Sequence, residues 1–141
     1  VDARHGELLS SDCETAPFPG FPTDLQAQWM AYSTQVQGAS RITEKVYPER
    51  FMHVPELQRL GAKLERVGET TIVHGPSPLM GAPVLASDLR ASATLVLAGL
   101  VAQGETPVRR VYPLDRGYQR LEEKLCHLGA NVRRETDTNK P

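Results

Sequence analysis

Cysteine is nearly missing: the 141 residues contain only Cys13 and Cys126. A pair so far apart gives neither a metal-ligand spacing nor a disulfide framework, and it fits a reducing, cytoplasmic setting. An excess of one charge is missing as well. Sixteen Lys and Arg face seventeen Asp and Glu, a net charge of −1, so no bulk attraction draws the chain to nucleic acid or to an anionic membrane. The longest apolar run, ATLVLAGLVA at 93–102, is too short for a bilayer and already contains Thr94. A Gly-rich nucleotide fingerprint and a nucleophile elbow are both lacking. None of His5, His53, His74 and His127 pairs at metal spacing, so each reads as structural or exposed, with His5 in a disordered N-terminal stretch. Cys126, inside EKLCHL, reads as helix packing rather than a nucleophile. No cofactor and no metal are therefore expected.

The length suffices for one domain with a real core or for two small modules. The first residue is Val and VDARHGELLS has no signal-peptide pattern, so the chain is expected to be a piece of something longer. The polar ETDTNKP end is expected to fray. Residues 1–14 form a loosely ordered segment, 15–81 a first unit, 82–135 a second, and 136–141 a polar tail.

Local signals fill in the units. Thr23-x-x-Gln26 has the pattern of a capping box, predicting a helix from Asp24 to about Val36 with Gly38 as its stop. RITEKV alternates like a strand. FMHVPELQRL reads as a short helix with Pro55 in its first turn and Gly61 closing it, and Gly68-Glu69 as a hairpin turn. The order then begins again. DLRASATLVLAGLVA is a helix capped by Ser87, TPVRRVY a strand, RGYQRLEEKLCHL a helix headed by Asp115 and ended by Gly129, and ANVRRE a last strand. Leu95, Val96, Leu97 and Leu100 surround the apolar helix on most sides, which predicts a central one packed against the first helix of the other unit. The halves also match in wording. Asp24-Leu25-Gln26-Ala27 and Asp88-Leu89-Arg90-Ala91 lie 64 apart, and Val46-Tyr47-Pro48 and Val111-Tyr112-Pro113 lie 65 apart. The fold class is thus mixed α/β, built from a repeated βαβα(ββ) unit that buries its face on a copy of itself.

Both units deliver an acid, Asp24 and Asp88, to the first turn of their first helix. Two readings stand: complementation of the helix dipole, or a carboxylate positioned as a general base or hydroxyl acceptor. The stiff PFPGFP lead-in favours the second at Asp24. Seven Lys and Arg against three acids lie between Pro107 and Arg134, most simply as a solvated face. Arg116 and Arg90 stand apart, because a first-turn cation opposes the dipole unless an anion binds there.

At PGFPTDLQAQ, RFMHVPELQRLGA, DLRASATLVLAG and LDRGYQRLEEKL the sequence resembles the UDP-N-acetylglucosamine enolpyruvyl transferases, from roughly Thr15 to Arg134. The sister family making enolpyruvylshikimate phosphate shares the fold but not the GFPTD and RFMHVPEL wording. The resemblance implies an inside-out α/β barrel with two domains of three βαβαββ units each. This chain would hold two of the three units of one domain, inactive alone, with the missing unit and the other domain as its partners. It implies transfer of enolpyruvyl from phosphoenolpyruvate to the 3-hydroxyl of UDP-N-acetylglucosamine in the bacterial cytoplasm, the first committed step of peptidoglycan synthesis. Asp24 would take or hold the hydroxyl proton, with Thr23 beside it in the substrate-binding set and Val46 touching the UDP-sugar through its backbone. Arg116 would bind phosphoenolpyruvate, Arg90 would support the anionic intermediate, and Asp88 would assist the base. The family's loop cysteine and N-terminal lysine match nothing here. Two other classes compete: a non-catalytic UDP-sugar-binding module, and a scaffold piece with no ligand of its own.

Overall fold

The computed structural model describes residues 6–136. His5 and positions 137–141 of the polar tail, on which two of the expectations above fall, lie outside them. In chain order the elements are β1 (Cys13–Glu14), a 3₁₀ turn (Thr23–Leu25), α1 (Gln26–Ser33), β2 (Gly38–Thr43), α2 (Val54–Arg59), β3 (Lys63–Val67) and β4 (Thr70–Gly75). Then come β5 (Val84–Leu85), α3 (Leu89–Val101), β6 (Val108–Arg109), α4 (Tyr112–Gly117) and α5 (Leu121–His127). Four strands form one sheet in the order β1-β2-β4-β3, with β1 parallel to β2 and the other pairs antiparallel; β5 and β6 pair in parallel as a second, two-stranded sheet.

The hairpin lies where Gly68-Glu69 predicts it, with Gly68 at φ +60° between β3 and β4. Pro55 sits in the first turn of α2 and Gly61, at φ +98°, follows its end. The two first helices, α1 and α3, pack on each other as expected. One core joins Met30 of α1, Ile42 of β2, Leu57 of α2, Val73 of β4, and Leu95 and Ala98 of α3.

Several expectations fail for local reasons. Thr23 does not cap a helix: residues 23–25 form a 3₁₀ turn without a side-chain cap bond, and Gln26 turns inward to donate to the Arg50 carbonyl at 3.1 Å. The helix therefore starts two residues after Asp24. It also stops at Ser33, where Ser33 and Thr34 hydroxyls bond back to the Trp29 and Ala31 carbonyls. Gly38, the expected stop, opens β2 at φ +100°. Asp88, not Ser87, caps α3, accepting from the Arg90 and Ala91 N–H groups at 2.8 and 2.9 Å. The single helix expected past Asp115 is two, because Tyr118 is extended and Arg120 is left-handed at φ +46°. ANVRRE finds no strand edge and is irregular. Finally, α3 is enclosed only in its first half: Ala91 to Leu95 are all buried, but Leu97 is 40% exposed and Leu100 38%.

Candidate functional site

Asp24 ends a lead-in that the fold holds firmly. Ala16 donates to the Phe21 carbonyl, Gly20 to that of Pro17, and Leu25 to that of Pro22. A Cβ on Gly20 would lie 2.6 Å from that of Ala16, so the loop closes only on glycine. Phe21 then packs edge-on against Trp29 of α1, ring centroids 5.8 Å apart. This loop carries Asp24 to the outer end of the α1–α3 pair.

There Asp24 meets two guanidinium groups. Arg90, in the first turn of α3, donates from Nε at 2.9 Å and approaches with Nη2 at 2.6 Å; Arg50 donates from Nη1 at 3.1 Å. All three contacts fall on Oδ1, and the Asp24 side chain is 62% exposed. Arg90 thus answers the helix dipole through Asp24, and the matching acids have different jobs: Asp88 caps, Asp24 does not.

Arg116 lies elsewhere than its sequence context suggests. It occupies the last turn of α4, where a cation complements the dipole, so the first-turn argument for an anion falls away. Its neighbours still bring it to the same end of the helix pair. A Cβ on Gly117 would strike Leu89, next to Arg90, at 2.6 Å, and the Tyr118 hydroxyl meets Gln28 of α1 at 3.3 Å.

Beneath Asp24 lies a layer that the motif reading does not single out. Arg50 Nη1 also donates to the Thr23 hydroxyl at 2.9 Å, and its guanidinium stacks over the Tyr47 ring at 4.3 Å. The Thr23 hydroxyl in turn donates to Glu44 Oε2 at 2.9 Å. Glu44 is fully buried, and its Oε1 accepts from the Thr15 hydroxyl at 2.7 Å and from the N–H groups of Val46 and Tyr47 at 2.9 Å each. Burial pushes its carboxyl pKa up, but the bonds from Tyr47, Thr15, Thr23 and Val46 outweigh that and hold it below the usual range. Glu44 had a sequence signal: alternation along RITEKV puts it on the inward face with Ile42, where an acid is out of place. Arg50 had none, because its contact with Asp24 joins an irregular segment to a 3₁₀ turn 26 residues away.

Among the described residues, no group of three or more His, Cys, Asp or Glu could hold a metal ion, and no helix is long and apolar enough to cross a membrane.

The sequence and its mixed α/β fold have known counterparts. The family model of EPSP synthase (3-phosphoshikimate 1-carboxyvinyltransferase) matches residues 2–125. Proteins named UDP-N-acetylglucosamine 1-carboxyvinyltransferase are similar to the chain. That of Chlorobium luteolum is 58% identical over 92% of this chain, and that of an Anaeromyxobacter species is 64% identical over 88%. The chain spans only 31% and 29% of their lengths. The crystal structure of the enolpyruvyl transferase NikO from Streptomyces tendae superposes with a TM-score of 0.83 at 34% identity, over 92% of this chain and 30% of that one. An Acinetobacter baumannii EPSP synthase shares the fold at a TM-score of 0.66 and 22% identity, over 80% of this chain and 27% of that one. The chain belongs to the EPSP synthase family of carboxyvinyltransferases.

Proposed function

We propose that this chain supplies part of an enzyme that moves enolpyruvyl from phosphoenolpyruvate to the 3-hydroxyl of UDP-N-acetylglucosamine, releasing phosphate and beginning peptidoglycan synthesis. The observation that carries this reading is Asp24, fixed on one oxygen by Arg50 and Arg90 and otherwise facing solvent. A carboxylate held so can take the hydroxyl proton on its open side as the sugar oxygen bonds to the enolpyruvyl carbon. Arg90 and Arg116 supply positive charge where phosphate and carboxylate groups gather. The Val46 N–H is committed to Glu44, so its carbonyl is the group offered to the UDP-sugar. Thr23 has given its hydrogen to Glu44 and accepts from Arg50, so it holds the site rather than the ligand. Asp88 is occupied as a cap and takes no part in proton transfer. Because the chain spans about three tenths of its relatives' length, the remaining binding groups come from the rest of the enzyme.

The test is Asp24→Asn in the full-length protein. Asparagine keeps the arginine-facing oxygen but loses basicity, so turnover should fall about 10²–10⁴-fold. Stability should change by less than about 1 kcal/mol, because asparagine keeps that acceptor and the Asp24 side chain is 62% exposed. Near-normal turnover with an early melt would reduce Asp24 to a structural ion pair and defeat the reading.

A further inference from the structure

We infer that Glu44 is a positioning residue, which sets Asp24 and the Val46 backbone in one frame by acting through Thr23 and Arg50 while touching no ligand itself. The inference rests on the reading of Asp24 given above. A buried carboxylate is costly to desolvate, and closing one turn does not require it, since a neutral acceptor serves as well. Here its two oxygens collect four donors from two separated stretches: Thr15 and Thr23 from the lead-in, Val46 and Tyr47 from the turn after β2. Those stretches carry Asp24 and Val46.

The distribution of the bonds gives Glu44 its leverage. Oε1 takes three donors and Oε2 takes only the Thr23 hydroxyl. By taking that single hydrogen, Glu44 leaves the Thr23 oxygen only lone pairs to present to Arg50 Nη1, which spans Thr23 and Asp24. The polarity of the chain from Glu44 to Thr23 to Arg50 to Asp24 is thereby fixed. Thr15 repeats the device on the other side, donating to Glu44 and accepting from the Lys45 N–H at 2.8 Å.

Glu44→Gln tests this at nearly constant shape. The amide oxygen must remain at the three-donor position, which places NH₂ against Thr23. The Thr23 hydroxyl then receives a donor and turns its hydrogen toward Arg50, which loses an acceptor. In the 141-residue chain the Arg50 side-chain N–H should exchange with solvent markedly faster in Glu44→Gln, with the melting temperature little moved. In the full-length enzyme kcat should fall about 10- to 100-fold through misplacement of Asp24. KM should change far less. Thr23→Val should give a comparable loss, and the double variant no more than the larger single one, because both break one linkage. Unchanged Arg50 exchange in Glu44→Gln, or losses in kcat that multiply, would overturn the inference. If the wild-type full-length protein has no transferase turnover, the proposed function fails instead, and Arg50 exchange still decides the role of Glu44.

Discussion

Residues 15–81 and 82–136 begin with similar wording but end as different structures. The first stretch contributes to a four-stranded sheet and carries most of the sealed apolar side chains, including Met30, Ile42, Leu57, Leu60 and Val73. The second has two strands of two residues each, and among the described residues past Ala98 only Leu114 is buried. The second stretch is therefore anchored near its start, where Val84 of β5 and Leu95 and Ala98 of α3 enter the common core. The site lies across that seam, with Asp24 and Arg50 on one side and Arg90 on the other. Sequence likeness in repeated units places matching helices; it does not fix how each helix begins or how much of each unit is buried.

The largest effect should appear at the anchor. Leu95→Asp puts an unpaired charge into the sealed core and should cost at least about 3 kcal/mol, read by denaturant unfolding. Leu97→Asp, two residues on but 40% exposed, should cost under about 1 kcal/mol in this chain. Equal losses would show that α3 is held on both sides and erase the contrast between the halves.

A next effect, close in size, belongs to a residue of the first half. His53 is 2% exposed, and its Nε2 is buried without a partner. Burial, opposed by the carboxylates of Asp88 and Glu44, pushes its pKa from 6.5 down to about 4. Between those values the unfolded chain binds a proton that the folded chain refuses, so stability falls as pH drops from about 6.5 toward 4. The shift corresponds to about 3 kcal/mol. Glu44, whose carboxyl is depressed by its hydrogen bonds, adds a loss of the same sign below the usual glutamate range. His53→Phe should flatten the decline in melting temperature above pH 4.5. A decline that survives unchanged would show that His53 is not the acid-sensitive group.

The contrast also explains what could be read from the chain. Pairing of α1 with α3 was legible because both helices are apolar and follow the same Asp-Leu wording, whereas the contact of Asp24 with Arg90 was not read from it. The α4–α5 break was not. An apolar period runs through LDRGYQRLEEKL, and the signals against a single helix were Pro113 at its start and Gly117 at its first end. ANVRRE alternates correctly, but alternation makes a strand only where a neighbour offers an edge. The capping box misled because Glu44 competes for Thr23, and that contact lies 21 residues away in the chain.

The smallest effect tests how loosely the end of the second half is held. Arg134 fastens the segment after α5 by a two-pronged contact with Asp115 at 2.7 and 3.0 Å and by bonds to Glu122 at 2.8 and 3.2 Å. Hydrogen bonds from Arg134 hold both carboxyls below their usual range. The fastening is therefore complete above that range and is released as pH falls through it. These groups are largely exposed, so Arg134→Ala should leave the melting temperature where it is. It should still free the segment locally, and Cys126, whose thiol donates to the Val132 carbonyl at 3.0 Å, reports on it. Alkylation of Cys126 should speed up in Arg134→Ala and in high salt, which screens exposed pairs. Cys13 serves as the internal reference, since burial, with help from Glu44, pushes its thiol up to about 11. If Arg134→Ala lowers the melting temperature as Leu95→Asp does, the end of the second half is a further anchor beside Val84 and α3.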